Sequence, residues 1–356
     1  GESEQGAGFG VSFEWDIPLL EGYRYRVLDN RARVPGVTHF NGCDTPGISD
    51  ALHEARPDVV VVNGWVVKTC LQALWACRRL GMPCLVRGEA NDLRQRPVWK
   101  RLLQRGLVSQ YAACLYIGKA NRQFYQARGV PECQLFPSRY CVENERLAAQ
   151  AYQLQPRRAS LREQWRIAPD AACFLFCGKL EPKKHPIELL ASLRLAVQKG
   201  GKLHLLIVGD GELRSACEEF VGQHDLPVTF AGFLNQSRIA EAYVAADGLA
   251  LPSDAGETWG LVVNEAMACG KPAIVSDRVG CAEDLVSPGV TGHVFAFGDL
   301  PALADHMHGC AMDSGALQAM GASARERVAA YSPRAAAEGI RDGVLWAVGR
   351  TETARE

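Results

Sequence analysis

Short runs of apolar, largely β-branched residues alternate with longer stretches of helical spacing along almost the whole chain. This alternation is typical of βαβ units, in which helices connect parallel strands. It predicts strands at 58–64, 83–89, 113–118, 133–138, 172–178, 202–209, 227–232, 247–253 and 272–277. It predicts intervening helices at 66–81, 97–112, 119–129, 186–199, 211–223, 236–245, 260–269 and 299–312. The predicted fold class is therefore α/β with parallel sheets.

The domain organisation follows from the length and from one polar stretch. A chain of 356 residues is long enough for two domains, and two domains suggest a cleft between them. Residues 143–170 are polar and predicted to be strand-free, so we place the junction there and predict domains at 1–150 and 151–330. The first set of strands lacks an opening strand with a Gly-rich turn, because GAGFG at 6–10 follows no strand. This leaves open that the first domain is incomplete.

Composition excludes several classes of protein. The chain has 39 basic and 40 acidic residues and no basic stripe interleaved with aromatic residues, so we expect no nucleic-acid partner. Its 13 cysteines include no C-x-x-C pair, and no His/Asp cluster has metal-ligand spacing, so no metal is expected. No apolar stretch approaches about 18 residues, and no signal peptide precedes the first strand. We therefore expect a cytoplasmic protein.

The loop after the predicted strand 172–178 is rich in cations. It reads KLEPKKHP and contains Lys179, Lys183 and Lys184 just before a predicted helix. Ammonium groups beside a helix N-terminus form a site for an anion such as phosphate. A solvated basic turn is the alternative interpretation of the same residues.

A second loop follows the predicted strand 247–253 and has two glutamates in an E-x7-E pattern. Glu257 precedes a helix that is predicted to start near Gly260, and Glu265 lies about one turn inside it. The free amides of Gly260 and Leu261 would point at a bound diphosphate, with one carboxylate on each side to accept sugar hydroxyls. Alternatively, Glu257 is an exposed loop residue and Glu265 a helix-surface residue.

A third loop, VGDGEL, offers Gly209 and Gly211. It is not a dinucleotide fingerprint, because Arg214 stands where the third Gly is required. The two glycines either let the backbone approach a ligand or turn the chain tightly. Phe233 follows the next predicted strand and either flanks a nucleobase or forms a hydrophobic cap.

These motifs together resemble the retaining glycosyltransferases of family 4, which have the two-domain architecture called the B type. The resemblance runs from about Trp15 to Val348 and is most specific at GKLEPKKHP, VGDGEL, PSDAGETWGLVVNEAMACGKPAIVSD and VGCAEDLV. It implies two Rossmann-like domains facing a cleft, with acceptors bound by 1–150 and nucleotide sugars by 151–330. The helix in 331–356 is expected to cross back to the first domain.

The resemblance also implies an activity and its residues. A hexose-type sugar would move from a UDP- or GDP-sugar to a hydroxyl of a glycan, glycolipid or lipid-linked saccharide, giving an α-linkage without a further cofactor. Glu257 would bind hydroxyls of the donor sugar, and Glu265 would bind the ribose. Contacts to the donor diphosphate would come from two ammonium groups and two backbone amides, those of Lys179, Lys184, Gly260 and Leu261.

The acceptor side departs from the family in one loop. Many members have a His near the donor sugar, whereas the corresponding RGEANDLR offers Arg87, Glu89 and Asn91, which we predict on the acceptor side. The following predicted helix mixes basic residues with Trp99, Leu102 and other apolar residues. We favour inward packing of its apolar stripe, and the alternative is contact with an anionic inner membrane face.

Two other functions remain open from the sequence. A sugar-nucleotide epimerase of the same architecture would also clamp a diphosphate. A non-catalytic subunit that binds nucleotide sugars is the second, because the opening Gly-rich loop is missing. Consumption of donor only in the presence of an acceptor would distinguish a transferase from both.

Overall fold

The computed structural model describes residues 16–18 and 20–353, with side chains up to Arg350. The Gly-rich stretch at 6–10 therefore lies outside the described residues. The described chain divides into two compact units. The first contains Leu20–Tyr140 together with the segment that begins at Pro333, and the second contains Cys141–Ser332. None of the described helices combines the length and the apolar character needed to cross a membrane.

The first unit is built on a four-stranded parallel sheet in the order β1-β2-β3-β4. Its strands are β1 (Val60–Asn63), β2 (Cys84–Gly88), β3 (Ala113–Tyr116) and β4 (Leu135–Pro137). Its first four helices are α1 (Ile48–Ala55), α2 (Lys68–Leu80), α3 (Val98–Val108) and α4 (Lys119–Ala127).

The second unit is built on a six-stranded parallel sheet in the order β10-β9-β8-β5-β6-β7. Its strands are β5 (Ala172–Cys177), β6 (Leu203–Val208), β7 (Val228–Gly232), β8 (Gly248–Leu251), β9 (Ala273–Ser276) and β10 (Gly292–Phe295). Its helices are α5 (Asn144–Leu154), α6 (Arg158–Gln164), α7 (Pro186–Gln198), α8 (Arg214–His224), α9 (Ile239–Ala245), α10 (Leu261–Ala268), α11 (Ala282–Leu285), α12 (Leu300–Met312) and α13 (Ser314–Ala329).

The last helix, α14 (Pro333–Thr353), returns to the first unit and packs on β4 and β3. Two glycines allow the close approach. A Cβ at Gly339 would lie 1.7 Å from the carbonyl oxygen of Pro137, and one at Gly343 would lie 2.9 Å from Cδ2 of Leu115. Leu115 and Ala347 belong to the small core that results.

The central strands of the second unit are buried on both faces. Every residue of β6 is buried, and so is all of β5 after its first residue. Strands of this kind are continuous apolar runs because helices cover both sides of a parallel sheet. The paired strands place their carboxyl ends side by side, with Cys177 opposite Val208. The loops that follow β5 and β6 therefore leave the sheet at the same edge.

The predicted fold class is confirmed, because both sheets are parallel and interleaved with helices. All nine predicted strands are present, and β10 is a tenth that the sequence pattern did not predict. The stretch 143–170, in which we placed the domain junction, contains α5 and α6. By contacts, the chain passes from the first unit to the second between Tyr140 and Cys141.

The apolar residues of α3 do not pack inward. The exposed fractions of Trp99, Leu102 and Leu103 are 58%, 63% and 66%, and Val98 is 70% exposed. Inward packing, which we favoured from the sequence, is therefore wrong for these side chains. The buried face of α3 is limited to its last residue, Val108.

Candidate active site

The loops after β5 and β6 are joined to each other by their backbones. The amide of Gly178 donates to the carbonyl of Val208 at 2.9 Å, and that of Leu180 donates to the carbonyl of Asp210 at 2.9 Å. Glycines make this approach possible. A Cβ at Gly209 would lie 2.0 Å from the oxygen of Gly178, and one at Gly211 would lie 2.6 Å from that of Leu180. Loop packing thus accounts for both glycines, and their contact with a donor stays a prediction.

The cations of the loop after β5 separate into two environments. A 3₁₀ turn at Pro182–Lys184 leads into α7, and it turns Lys184 inward, where its side chain is 11% exposed. The ammonium of Lys184 lies beside Gly178 and forms an ion pair with the carboxylate of Glu257. Lys183 points outward, with a side chain 45% exposed, and pairs with Glu181 at 3.2 Å. Lys179 is partly buried.

The loop after β8 brings Glu257 to this lysine. The amide of Asp254 donates to the carbonyl of Lys183 at 2.9 Å, which ties the two loops together. The amide of Glu257 donates to the carbonyl of Asp254 at 3.0 Å, and its own carbonyl accepts from Gly280 at 3.0 Å. The carboxylate is held at a site where its side chain is only 14% exposed. The structure therefore brings together two predicted residues that lie 73 positions apart.

Gly260 ends this loop and begins α10 in a backbone conformation that favours glycine, with φ at +97°. Helix α10 starts at Leu261, and its first turn contains no acidic residue. The N-cap residue is Gly260 itself, which has no side chain to bond the first amides. The first amides of a helix have no partner within it, although that of Val263 donates to the carbonyl of Gly260 at 2.9 Å, and the positive end of the helix dipole lies on the Glu257 loop.

Glu265 lies one turn into α10 and accepts a hydrogen bond from the hydroxyl of Tyr243 at 2.6 Å. Burial raises the pKa of Glu265, while the hydroxyl of Tyr243 and the charge of Arg146 act in the opposite direction. Tyr243 is a functional neighbour that sequence reasoning missed. The only signal for it was a single aromatic hydroxyl in the helix IAEAYVA of α9, whose other residues are apolar except for Glu241.

Two phenylalanines and a histidine also belong to the loops at this edge of the sheet. Phe233 follows β7 and is partly buried. His185, next to Lys184, contacts Glu188 through Nδ1 at 2.9 Å, and its ring packs edge-on to Phe297 at 4.8 Å. Phe297 was not predicted. Within 16–18 and 20–353, no three His, Cys, Asp or Glu side chains are grouped so as to hold a metal ion.

The three acceptor-side candidates lie in the first unit, Arg87 near the carboxyl end of β2 and Glu89 and Asn91 in the loop that follows. Arg87 donates from Nε to the hydroxyl of Ser138 at 2.9 Å, and Glu89 accepts from the hydroxyl of Tyr140 at 2.5 Å. Asn91 is buried and accepts from the amide of Leu93 at 3.2 Å, so it shapes its own loop. Sequence reasoning missed Ser138 and Tyr140, which follow β4 and gave no pattern of their own.

A cavity in the second unit lies elsewhere. It has a volume of about 1450 Å³ and opens at the amino ends of β5, β8 and β9, the edge opposite the loops above. Two of its arginines, Arg158 and Arg162, pair with Asp247. The chemistry of the Lys184 and Glu257 loops therefore does not involve this cavity.

Comparison with known proteins finds a family model that matches the segment carrying these loops. Residues 157–327 match the family of group 1 glycosyl transferases. This group 1 segment includes Lys184, Glu257 and Glu265. It is similar to a GDP-mannose-dependent phosphatidylinositol dimannoside mannosyltransferase of Mycobacterium tuberculosis, at 33% identity over 34% of the chain and 32% of that protein. A GDP-mannose-dependent α-mannosyltransferase of the same species is 30% identical over 70% of the chain and 61% of its own length.

Solved structures resemble the chain beyond the group 1 segment. HepE of Anabaena in complex with UDP matches 85% of the chain and 82% of its own, with a TM-score of 0.70 at 18% identity. Sucrose-phosphate synthase of Thermosynechococcus elongatus matches 86% of the chain and 76% of its own, with a TM-score of 0.65 at 22% identity. The fold is therefore that of two-domain, B-type glycosyltransferases. The chain spans about a third to three fifths of the curated relatives above.

Proposed function

We propose that this protein is a glycosyltransferase that moves a hexose-type sugar from a nucleoside diphosphate sugar to a hydroxyl acceptor. One observation supports the proposal: the ammonium of Lys184 and the carboxylate of Glu257 meet on the loop that leads into α10, whose N-cap residue is a glycine. A cation and free amides suit a diphosphate, and a carboxylate suits sugar hydroxyls. The group 1 match of residues 157–327 supports the same donor class.

The proposed donor site assigns one chemical task to each residue. Lys179, Lys184 and the first amides of α10 hold the diphosphate, while Glu257 and Glu265 accept hydrogen bonds from the sugar and the ribose. The phosphate-binding groups stabilise the charge that develops on the leaving group, which is the main catalytic requirement. Because Glu257 already pairs with Lys184, a bound donor has to share this ammonium between the carboxylate and the phosphate.

We propose that the reaction proceeds with retention. The bond between the anomeric carbon and the diphosphate oxygen breaks, and the acceptor oxygen forms the new bond on the same face. The acceptor proton passes to a phosphate oxygen of the departing diphosphate. The resemblance to retaining enzymes supports this course, and it predicts an α-linked product from an α-linked donor. NMR coupling constants of the product's anomeric proton measure the outcome, and a β-linked product would overturn it.

A nucleotide screen tests the donor site directly. UDP, GDP, ADP and TDP are each added to the protein, and the melting temperature is compared with that of the free protein. A nucleotide at 100 times its dissociation constant adds about 2.7 kcal/mol of stability. Donor consumption is then measured with and without hydroxyl acceptors. Consumption without any acceptor would indicate an epimerase or hydrolase, and binding without turnover under any condition would indicate a non-catalytic subunit.

We also propose that α3 lies on an anionic membrane surface and presents the enzyme to a lipid-linked acceptor. Four apolar side chains of α3 are exposed, those of Val98, Trp99, Leu102 and Leu103. Lys100, Arg101 and Arg105 of the same helix are exposed as well. Each basic residue contributes about 1 kcal/mol near an anionic surface, and the apolar residues add burial.

Vesicle sedimentation tests the membrane contact. The protein should sediment with phosphatidylglycerol-containing vesicles and remain in the supernatant with phosphatidylcholine alone. Leu103→Ser should weaken sedimentation, whereas Leu345→Ser, which replaces a leucine 62% exposed on α14, should not. Equal sedimentation of both variants, or none for the parent protein, would contradict the proposal.

A further inference from the structure

Arg87 is held in a fixed orientation at the carboxyl end of β2. Its Nε donates to the hydroxyl of Ser138 at 2.9 Å, and its guanidinium lies over the ring of Tyr140, 4.9 Å from the ring centre. Both partners are themselves fixed. Ser138 is fully buried, with its amide bonded to the carbonyl of Tyr116 at 2.8 Å, and the hydroxyl of Tyr140 is bonded to Glu89 at 2.5 Å.

The strand register shows where this side chain lies. Arg87 on β2 is opposite Leu115 on β3, while Ser138 directly follows β4. To reach Ser138, the arginine has to cross the carboxyl end of β3. Its guanidinium therefore lies over the middle of the sheet edge at which open parallel sheets bind ligands.

The rest of the guanidinium has no protein anion. Nε is one of five N–H donors, so the two terminal nitrogens retain four. In the described part of the chain, no carboxylate lies within ion-pair distance of Arg87. Other arginines of the first unit do have such partners. Arg122 pairs with Glu132 at 2.5 Å, and Arg128 forms two hydrogen bonds with Asp92.

We propose that Arg87 binds an anionic group of the acceptor, a phosphate or a carboxylate. This inference rests on the proposed function and specifies its acceptor class, a saccharide or lipid head group that carries a negative charge. The outer edge of a guanidinium matches two oxygens of either group. Stacking on Tyr140 and the bond to Ser138 restrict the side chain before the ligand arrives, so little conformational freedom remains to be lost on binding.

Glu89 defines how the anion approaches. It is the nearest acidic residue in sequence, and its carboxylate accepts a hydrogen bond from the hydroxyl of Tyr140. Because Nε of Arg87 is bonded to Ser138, the anion is expected at the terminal nitrogens of Arg87. The inference also predicts that Glu89→Gln strengthens anion binding slightly, because a nearby like charge is removed.

Calorimetric titration tests the inference with three small probes, namely glucose 6-phosphate, glucuronate and glucose. Each titration is run without nucleotide and with saturating UDP or GDP, so that phosphate binding at the donor loops is separated from binding at Arg87. Arg87→Met should weaken glucose 6-phosphate or glucuronate by at least about tenfold and leave glucose unchanged. Arg87→Lys should show an intermediate loss of affinity, because lysine keeps the positive charge but lacks the paired N–H donors of the guanidinium.

Arg79→Met is the matched control, because Arg79 is an exposed arginine at the carboxyl end of α2 and its loss changes the net charge equally. It should leave all three affinities unchanged. Melting curves of the variants check folding. Charged probes that bind the parent protein and Arg87→Met equally, or that do not bind the parent at all, would overturn the inference. Failure of the nucleotide screen alone would overturn the donor proposal and not this one.

A second set of binding experiments distinguishes two sources of the anionic group, a free compound and a lipid. Free inositol 1-phosphate is compared with phosphatidylinositol in phosphatidylcholine vesicles, since both carry the same phosphorylated head group. Arg87-dependent binding of the free compound indicates a soluble phosphorylated acceptor. Arg87-dependent binding of the vesicles alone indicates a lipid acceptor. Both results support an anionic acceptor, and Arg87-independent binding in both cases contradicts it.

Discussion

At the residue scale, two adjacent lysines differ in their surroundings. Lys184 is turned inward and bonded to Glu257, whereas Lys183 is largely exposed and pairs with Glu181. We predict that Lys184→Ala lowers sugar transfer by about 10²- to 10³-fold, because a cation that stabilises the leaving diphosphate is lost. Initial rates at saturating donor measure the effect. Lys183→Ala is the matched control and should keep its activity within about twofold.

The same substitution has a separate effect on stability. Without Lys184, the carboxylate of Glu257 remains at a site with little solvent and no ammonium. We expect a loss of about 1–3 kcal/mol in the free energy of unfolding, measured by urea denaturation. The double variant Lys184→Ala with Glu257→Gln should recover part of this loss without recovering activity.

Similar rates of sugar transfer for Lys183→Ala and Lys184→Ala would contradict the assignment of Lys184 to the diphosphate.

Glu265 allows a prediction about pH. Burial raises its pKa above the ordinary value of 4.5, so the folded protein loses stability as the pH rises from that value through the folded pKa. Glu265→Gln removes this penalty. We predict that the variant is more stable than the parent at neutral pH, and that the difference disappears below about pH 4. Urea denaturation at both pH values measures it, and nucleotide binding should weaken in the same variant.

The sequence drew attention to polar residues clustered within short motifs, and the structure brings Lys184 and Glu257 of two such motifs into contact, while their roles stay predictions. Lys184 and the Glu257 and Glu265 pair stood out because they follow predicted strands and flank a Gly-marked helix start. Tyr243, Ser138 and Tyr140 did not stand out. Each is a single polar residue whose partner lies at least 22 positions away in the chain, so only the folded sheet edge brings them together.

At the scale of elements, the two loops after β5 and β6 depend on Gly209. Its φ is +124°, and a Cβ there would lie 2.0 Å from the oxygen of Gly178. We predict that Gly209→Ala lowers the free energy of unfolding by about 2 kcal/mol or more, through strain and loop separation. Gly222→Ala is the control, because nothing lies within 4 Å of a Cβ in that helical position. It should stabilise α8 by about 0.5–1 kcal/mol.

Strands and helices were predictable where the pattern of apolar residues along the sequence is regular. β5 is apolar throughout and β6 is apolar except for His204, and both were predicted from their long apolar runs. Helix α6 was missed because its buried face includes Arg162, whose terminal nitrogens donate to Asp247 and to three backbone carbonyls. A buried arginine removes the hydrophobic period on which the prediction relies. β10 was missed because GHVF is short and contains a polar residue.

At the scale of the whole molecule, α14 joins a unit whose other residues lie nearly two hundred positions earlier. The sequence predicted its helical character, whereas its return to the first domain came from the family resemblance and not from any periodicity. Gly339 is where the helix contacts β4 most closely. Sequence patterns report such a contact poorly, because it depends on the absence of a side chain.

We predict that Gly339→Ala loosens the first unit and leaves the second unchanged. The added Cβ would lie 1.7 Å from the oxygen of Pro137 and would push α14 off the sheet. Hydrogen exchange followed by mass spectrometry should show faster exchange in β2 and β3 and unchanged exchange in β5 and β6. Gly349→Ala is the control, since nothing lies within 4 Å of a Cβ there. Equal acceleration in both sheets would contradict the division into units.

The position of α14 also sets an order of events on the ribosome. Strands β1 to β4 emerge first, yet the helix that covers Leu85 and Leu115 is translated only after all of Cys141–Ser332. The later unit can therefore complete its core while the earlier one still exposes apolar surface. Nascent chains that stop before Pro333 should thus be the species that chaperones bind and proteases attack.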